Sequence, residues 1–415
     1  MRALIVTDVF PPGCDGSGWS TFHLAQALRD GGHEVRVVKP EPRLAGVRLR
    51  EYEGIEVQDF GFAYADVPYL RNLLKSDLLA ARLERFLVDE LGRGAADVVH
   101  AQHLLSAFPA VAAGRRRGVP VVVTVRDHWP ICYFTTWHVA GERCPGCSFA
   151  KMLECMRGKD SRWYWAGIPM MPYMRRDVRR RQRGLRGADA LIAVSRYIAD
   201  QVVRPLVDDS RVEVIPNFLD VAAIERIAAE PPSVELPERF WLFAGKLHTL
   251  KGAHLVLEAA ARSRSGVPLV VVGDGPERRA MEDRVRRERL DVRFLPWLDN
   301  REVWRVMRRA EVVVVPSLLA EALSRTVLES MAAGTCVVAT DSGGIHDQIR
   351  DGEDGFITQA QPDALAHRID ALLADPAAGR AMADRARAVV RGRFDRRVVV
   401  PRVEALYARL ARTSR

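Results

Sequence analysis

One chain pattern occurs twice in these 415 residues: a short apolar segment, a glycine-rich turn, a helix, and another short apolar segment. The first copy runs from a strand within residues 1–10 to a strand at 34–38, with a helix at 20–29 between them. Short strands that alternate with helices form parallel sheets, because a parallel connection needs a long crossover. The pattern therefore predicts an α/β fold with doubly wound parallel sheets.

Two consecutive α/β domains are expected, residues 1–229 and 230–395, linked by the Pro/Glu-rich piece 230–237. The further predicted strands are 97–100, 119–125, 190–194 and 211–215, then 240–244, 269–272, 292–295, 312–316, 336–340 and 355–358. Residues 361–415 are predicted to be helical with breaks at Pro376 and Pro401, and 396–415 to pack back on the first domain. Ligands of doubly wound folds bind at the carboxyl ends of strands, which predicts a central cleft between the domains.

The composition excludes several classes of protein. Hydrophobic residues make up 48% and charged residues 28%, as in ordinary globular chains. No uncharged apolar run approaches the roughly 20 residues that a membrane-spanning helix needs. The N-terminus begins with a strand rather than a charged head and a long apolar core, so we expect a cytoplasmic protein.

The net charge of +9 is the excess of 62 Lys and Arg residues over 53 Asp and Glu residues, and only six of the basic residues are Lys. Two explanations stay open. One is a coding bias toward GC-rich codons, and the other is an anionic partner such as a nucleotide, a phosphorylated substrate or a membrane surface. No nucleic-acid-binding motif accompanies the charge, so nucleic acid is not expected as a partner.

The segment 321–334 carries two carboxylates eight residues apart, Glu321 and Glu329, after the strand predicted at 312–316. Glu329 is predicted in the first turn of a helix, where it could accept both hydroxyls of a ribose. The N–H groups around Leu323, Ser324 and Arg325 could hold a diphosphate or sugar hydroxyls. Taken alone, the segment is better explained by one solvated glutamate and one glutamate at a helix N-terminus.

Other short motifs stand in a specific order with this segment. They are Gly245-Lys246-Leu247 with Lys251-Gly252, Gly273-Asp274-Gly275-Pro276, residues 292–296, Gly343-Gly344 and residues 351–356, with 194–195 and 214–217 in the first half. Over nearly the whole chain the sequence resembles the retaining glycosyltransferases of family 4, glycosyl transferases group 1. That family has the GT-B fold, with two Rossmann-like doubly wound domains facing a central cleft.

The resemblance implies how a nucleoside-diphosphate sugar of the UDP or GDP type would be held. Lys246 and Lys251, in the loop after Gly245, would bind the diphosphate, so that catalysis needs no metal ion. The first-domain loop from Gly16 to Gly18 would close over the phosphates. Breaking the sugar–phosphate bond develops negative charge, and fixed cations stabilise it.

The resemblance also implies roles for both carboxylates. Glu329 would bind the ribose, Glu321 would act on the donor sugar and the transition state, and the base would stack near Leu295 and bond to its backbone. No nucleophile is evident, and front-face attack assisted by the leaving phosphate is expected. Ser324 stands where many members have Gly, which is compatible if its N–H still points at the ligand.

Residues after the first-domain strands are candidates for the donor sugar or the acceptor. Arg126 stands where many family members have a His that touches the donor sugar. It could bind a phosphate or carboxylate, or it could pair with Asp127. His128 is either a sugar contact or a structural histidine. His100 and His103 follow a strand and are predicted to line the acceptor side.

Four cysteines cluster in an insert at about 132–155. Cys132, Cys144, Cys147 and Cys155 have the spacing C-x11-C-x2-C-x7-C, which suits a structural zinc site with His138 as a substitute ligand. Free thiols and redox-active disulfides stay open as alternatives, although a reducing cytoplasm disfavours disulfides.

An aromatic and apolar stretch, 163–165 with Met170-Met171, precedes the arginine-rich segment 175–183. Such a pairing could lie on an anionic membrane surface, on the inner face of the cell membrane. The alternative is a solvated helix face in an arginine-rich protein.

The predicted function is a retaining, metal-independent glycosyltransferase that moves a sugar from a nucleotide diphosphate sugar to a hydroxyl acceptor. The acceptor would belong to polysaccharide, glycolipid or glycoside biosynthesis, and could be lipid-linked. A disaccharide synthase or phosphorylase is a close rival, and a sugar-nucleotide epimerase is a more distant one. A non-catalytic nucleotide-sugar sensor or partner subunit with the same fold is the alternative from another class. Turnover separates these, because a sensor binds the donor without releasing nucleotide.

Overall fold

The computed structural model describes residues 1–14, 16–42, 44–63, 73–94, 96–139, 142–159 and 164–413. The chain divides into two compact units, Met1–Pro216 with Val400–Arg415, and Asn217–Val399. The first boundary precedes the predicted one because the helix Val221–Ala228 packs on helices of the second unit. The piece 230–237 therefore lies inside the second unit and does not link two domains, and Ser233 Oγ bonds to Glu302 there at 2.8 Å.

The first unit holds an eight-stranded sheet in the order β10-β9-β6-β5-β1-β2-β4-β3. All its neighbours are parallel except β3, which runs antiparallel to β4. β7 and β8 form a separate two-stranded antiparallel sheet. The strands are β1 Arg2–Val6, β2 Glu34–Pro42, β3 Val47–Tyr52, β4 Ile55–Phe62, β5 Val98–Ala101, β6 Val121–Val125, β7 His138–Val139, β8 Glu142–Arg143, β9 Ala190–Ala193 and β10 Val212–Val214.

Helices cover this sheet. The α-helices are Gly16–Asp30, Ala80–Gly92, Leu104–Arg117, Phe149–Lys159, Tyr164–Gly167, Met171–Leu185 and Arg196–Ile198. Shorter π or 3-10 turns are Leu74–Leu79, Ile168–Met170, Ala199–Val203 and Asp209–Arg211. The β-branched strand β6 is buried at all five positions, as expected for a parallel strand covered on both faces.

The second unit holds a six-stranded, fully parallel sheet in the order β13-β12-β11-β14-β15-β16. Its strands are β11 Trp241–Ala244, β12 Leu269–Val272, β13 Val292–Phe294, β14 Val312–Val315, β15 Cys336–Thr340 and β16 Phe356–Thr358. Its helices are Val221–Ala228, Ala253–Arg262, Arg278–Glu288, Asn300–Arg309, Arg325–Ala333, Pro362–Ala374 and Pro376–Arg393, with 3-10 turns Thr249–Lys251 and Gly343–Asp347.

The last helix, Arg396–Thr413, begins in the second unit and continues into the first. Pro401 lies inside it, so the predicted break at Pro401 is wrong, whereas Pro376 does begin a new helix. Buried side chains hold the helix in place despite the N–H that Pro401 lacks. Among them, Tyr407 is 0% exposed, and its hydroxyl lies 2.5 Å from His100 Nδ1.

Each sheet has a switch point, a pair of neighbouring strands from which the strand order runs in opposite directions. In the second unit this point lies between β11 and β14, and in the first unit between β1 and β5. Ligands of open α/β sheets bind at the carboxyl ends of the strands beside such a point. Among the described residues, no helix combines the length and the apolar character needed to cross a membrane.

Candidate functional site

Two loops form the carboxyl edge of the β11/β14 switch point, residues 245–252 and 316–324. Gly252 has a φ of +74°, and a Cβ there would lie 1.9 Å from a main-chain oxygen of the second loop. The oxygen of Leu250 accepts two main-chain hydrogen bonds from the second loop, at 3.0 and 3.1 Å. The loops are thus packed backbone to backbone, which places their side chains next to each other.

Lys251 and Glu321 form an ion pair between these loops. Lys251 Nζ lies 2.6 Å from Glu321 Oε1, and Ser317 Oγ donates a 2.8 Å hydrogen bond to the same oxygen. The Glu321 side chain is 11% exposed and that of Lys251 is 39% exposed. At the switch point, therefore, a carboxylate that accepts two hydrogen bonds lies beside a solvent-accessible ammonium group.

The glycine pair Gly343-Gly344 holds the backbone of Glu321. Gly344 N–H donates to Glu321 O at 2.6 Å. Gly343 has a φ of +60°, and a Cβ on it would lie 2.4 Å from the same oxygen. Only glycine permits this close approach. The glycine pair therefore fixes the backbone that carries the Glu321 side chain.

Glu329 lies on the helix Arg325–Ala333, where Arg325 Nη2 bonds to its Oε1 at 2.6 Å. Both side chains are largely buried, at 20% exposed for Arg325 and 12% for Glu329. Because the helix begins at Arg325, Glu329 lies in its second turn. The predicted place in the first turn is wrong by one turn.

Ser324 precedes this helix, and its backbone is fully engaged. Its N–H donates to Gln348 Oε1 at 2.8 Å, and its oxygen accepts from Gln348 Nε2 at 2.7 Å. The expectation that this N–H is available to a ligand is therefore wrong. Leu323 beside it is only 9% exposed and packs inward.

Gly245 and Lys246 begin the first loop. Gly245 N–H donates to Val272 O at 3.0 Å, and a Cβ at Gly273 would lie 1.9 Å from Gly245 O. The glycine turn after β12 thus anchors this loop at its start. Lys246 is exposed on the same loop as Lys251.

Leu295 follows β13 and is 3% exposed. Its N–H donates to Val271 O at 2.9 Å, and its oxygen accepts from Arg278 Nη2 at 3.1 Å. Both backbone groups are therefore already paired, so the predicted hydrogen bonds from Leu295 to a base are not available in this arrangement.

Asp8 lies after β1, at the first unit's switch point. Its carboxylate accepts the N–H groups of Leu105 and Ser106, each at 2.9 Å, at the start of the helix Leu104–Arg117. Burial raises the Asp8 pKa to about 6, although these hydrogen bonds oppose the rise. Asp8 thus fixes the loop between β5 and the helix, and a carboxyl group with this pKa titrates near neutrality.

His103 and Arg126 lie at the same edge of the sheet. His103 Nδ1 lies 3.0 Å from Thr7 Oγ1, and burial together with the Arg126 charge lowers the His103 pKa to about 3. Arg126 Nη2 donates to Gln102 Oε1. A neutral imidazole and a guanidinium group therefore stand together where the sequence predicts sugar or acceptor contacts.

His128 and His100 are buried, and each lies within hydrogen-bond distance of the hydroxyl group of a neighbouring side chain. His128 is 2% exposed, its Nε2 lies 3.1 Å from Tyr197 Oη, and its ring centroid lies 5.2 Å from that of Trp137. His100 is 1% exposed, with its Nε2 2.6 Å from Thr124 Oγ1. The prediction that His100 lines the acceptor side is wrong, and for His128 the geometry favours the structural alternative.

Gly16 and Gly18 form the first turn of the helix Gly16–Asp30 and not the predicted loop. Ser20 Oγ donates to Gly16 O at 3.0 Å, which closes this turn. A Cβ at Gly18 would lie 2.5 Å from Cys14 Sγ, so the glycine permits the close approach of the preceding segment.

None of the four clustered cysteines forms a disulfide within the described part of the chain. Trp137 N–H donates to Cys132 Sγ at 3.4 Å, and Cys144 Sγ donates to the Gly146 oxygen at 3.5 Å. Burial raises the Cys147 pKa, and the Cys132 and Cys144 thiols add to the rise.

No group of three or more His, Cys, Asp or Glu side chains in the described part of the chain is arranged to hold a metal ion. Cys155 lies on the helix Phe149–Lys159, and the His138 side chain lies outside the part of the chain that the structure describes. The structural zinc site stays a prediction.

The predicted basic, aromatic face is partly interior. Arg181 and Asp177 are each 3% exposed and pair at 2.6 Å, and Arg181 Nη1 donates to the oxygens of Trp129 and Cys132, both at 3.1 Å. Met171 is buried in a methionine-rich cluster. Trp165 is 74% exposed, and Trp163 lies outside the described residues.

Three residues that hold the second-unit site were not predicted: Ser317, Gln348 and Arg278. Ser317 comes two residues after β14, and its place at the switch point could have singled it out. Gln348 and Arg278 act through partners distant in sequence, and no local motif marks them.

Two family models match the chain: Glycosyltransferase Family 4 over residues 14–223 and Glycosyl transferases group 1 over residues 227–389. Glycogen synthase of Mycobacterium tuberculosis (strain CDC 1551 / Oshkosh) is 28% identical over 437 residues, covering 100% of this chain and 96% of that protein.

Among solved structures, sucrose-phosphate synthase of Thermosynechococcus elongatus matches with a TM-score of 0.73 and 20% identity over 99% of both chains. HepE of Anabaena in complex with UDP matches with a TM-score of 0.69 and 17% identity, covering 98% of this chain and 100% of that one.

The first family model spans half of the chain, and the second spans most of the unit that carries Lys251, Glu321 and Glu329. The likeness to solved structures extends over both sheets. The chain therefore belongs to the family 4, group 1 glycosyltransferases and is a glycosyltransferase with the GT-B fold.

Proposed function

We propose that this enzyme moves a sugar from a nucleoside-diphosphate sugar to a hydroxyl acceptor in glycan synthesis, with retention at the anomeric carbon and without a catalytic metal ion. The observation that carries the proposal is the cluster of Lys251, Glu321 and Ser317 at the β11/β14 switch point. The complex of HepE with UDP supports a UDP-type donor, and the glycogen synthase relative supports a polysaccharide acceptor.

The departing diphosphate requires positive charge. Lys246 and Lys251 supply two ammonium groups on one loop, and they take the place that a divalent cation would otherwise have. Glu321, oriented by Ser317 and Lys251, acts electrostatically on the donor sugar. Glu329, held by Arg325, accepts the ribose hydroxyls.

The transfer breaks the bond between the anomeric carbon and the diphosphate oxygen. It forms a bond from the same face to the acceptor oxygen. The acceptor proton passes to the departing diphosphate, so no protein nucleophile is needed. Asp8, His103 and Arg126 of the first unit are candidates for acceptor contacts.

The test is a transfer assay with UDP-glucose and a maltooligosaccharide, run with and without EDTA. NMR of the product reads the anomeric configuration. We expect UDP release that EDTA leaves unchanged, and a product with an α linkage, as in the donor. Activity that EDTA abolishes and Mg²⁺ restores would refute metal independence, and a β-linked product would refute retention.

A further inference from the structure

A groove of about 480 Å³ lies on the first unit. Three helices line it: Ala80–Gly92, Leu104–Arg117 and Met171–Leu185. The residues that line the groove do not include Asp8, His103 or Arg126, which lie at the β1/β5 switch point. The groove is therefore lined by other residues than the switch point.

The floor of the groove is apolar and closely packed. Phe108 lies against Gly184, where a Cβ would be 2.1 Å from the nearest ring carbon. Arg180 stacks over the same ring, with its guanidinium carbon 5.7 Å from the ring centroid. This contact orders the Arg180 side chain at the groove wall.

The walls carry four arginines and one glutamate. Arg176, Arg180 and Arg183 are spaced four and three residues apart, which places them on one face of their helix. Arg115 projects from the neighbouring helix into the same groove. Four guanidinium groups from two elements thus surround one apolar floor.

Acidic residues compensate only part of this charge. The one lining carboxylate, Glu84, is paired at 2.9 Å with Arg116, which does not line the groove. Arg180 pairs with Asp77. Burial and the charge of Arg183 both lower the Arg180 pKa, as expected where cations are crowded.

The three other lining arginines have no ion-pair partner within 4.0 Å in the described part of the chain. They are Arg115, Arg176 and Arg183, and all three are exposed. Their charge is available to a ligand.

We propose that this groove is a binding site for a phosphate-bearing anion. The planar fork of each guanidinium group matches pairs of phosphate oxygens, and several forks around one space bind phosphate more tightly than isolated surface arginines do. The phosphate could belong to a free polyphosphate or to a lipid headgroup. Binding of such an anion in the groove does not require the proposed transfer reaction.

The test compares three full-length proteins, each carrying Lys246→Ala and Lys251→Ala so that the donor loop does not bind the probes. One has no further change, and the groove variant adds Arg115→Gln, Arg176→Gln and Arg183→Gln. The control variant adds Arg279→Gln, Arg286→Gln and Arg287→Gln, which remove three exposed arginines from the second unit. The probes are inorganic pyrophosphate, read by calorimetry, and phosphatidylcholine vesicles with or without one-third phosphatidylglycerol, read by flotation.

We expect at least one probe to bind the parent and the control variant, with about tenfold or greater loss of affinity in the groove variant. Loss of pyrophosphate binding would identify a free phosphate ligand, and loss restricted to anionic vesicles would identify a headgroup. Equal binding of both probes by the groove and control variants, or no binding by the parent, would overturn the proposal.

Discussion

Lys251 and Glu321 carry opposite charges, and their ion pair restrains both side chains. The ammonium group is the more exposed partner, so a diphosphate can approach it without displacing the carboxylate. The ion pair thereby keeps Lys251 Nζ 2.6 Å from Glu321 Oε1, and the proposed function assigns charge stabilisation to the first and sugar positioning to the second.

Lys251→Ala should lower kcat by about 100-fold, since it removes one fixed group that stabilises the charge on the departing diphosphate. Release of nucleotide in steady state measures the effect. Lys151→Ala is the matched control, because Lys151 also pairs with a glutamate, Glu154, at 2.8 Å, but lies in the first unit. Equal kcat values for the two variants would exclude the role of Lys251.

His100 should make the protein less stable in acid. Burial, with a contribution from Arg126, lowers its pKa from 6.5 to about 3. Its stabilising contribution is therefore present above pH 6.5 and is lost as the pH falls toward 3. Between pH 7.5 and 5.0 this loss is about 2 kcal/mol.

His100→Gln should reduce the fall in melting temperature between these two pH values. The exposed His346→Gln serves as the control and should follow the wild type. An identical fall in all three proteins would show that His100 does not titrate in this way.

At the scale of elements, strands were the most predictable part. Runs such as Val312–Val315 are apolar at every position, and the predicted strands after residue 96 have bounds within two residues of those observed. The strand β2 extends four residues beyond its predicted end at residue 38. The hairpin of β3 and β4 was missed, although residues 47–52 alternate apolar and charged side chains in part. Gly16 and Gly18 lie inside a helix although glycines favour loops, and Pro401 lies inside a helix although proline usually ends one. Packing can thus override these local preferences.

In the loops, the residue types of the site could be predicted better than the hydrogen bonds that their backbones make. The motif around Glu321 and Glu329 was evident in the sequence. The hydrogen bonds between the Gln348 side-chain amide and the backbone of Ser324, 24 residues away, were not evident in the sequence. Such pairings depend on tertiary contacts that no local spacing encodes.

Gly343→Ala should lower activity by displacing Glu321, because the new Cβ would lie 2.4 Å from the Glu321 oxygen. Gly352→Ala is the matched control, because Gly352 has a φ of +78° and its new Cβ would have no heavy atom within 4 Å outside the adjoining backbone. Both variants carry backbone strain of about 1 kcal/mol. Kinetics should therefore separate them, and equal kcat values would argue against positioning by Gly343.

Arg181→Met should destabilise the first unit by about 3–5 kcal/mol, because it leaves Asp177 buried without its counter-charge. The change also removes hydrogen bonds to the 129–132 segment. Urea unfolding measures the loss. The double variant Arg181→Met with Asp177→Leu should recover part of it, and a single variant as stable as wild type would contradict the account.

At the scale of the molecule, the charged residues proposed for the donor site lie in one unit and the candidate acceptor contacts lie in the other. Lys246, Lys251, Glu321 and Glu329 all lie in Asn217–Val399, whereas Asp8, His103 and Arg126 lie in the other unit. The fold and the donor motif could be predicted because they depend on periodicity and short spacings. The boundary between units could not, because it depends on where the helix Val221–Ala228 packs.

The proposed function requires that the second unit bind a nucleoside-diphosphate donor through Glu329 and its neighbours. The most direct measurement is a thermal-shift titration of UDP, GDP and their sugars against wild type, Glu329→Ala and the exposed control Glu353→Ala. We predict that one nucleotide raises the melting temperature of wild type and control, and raises that of Glu329→Ala distinctly less. A shift of equal size in all three proteins, or none with any nucleotide, would contradict the account.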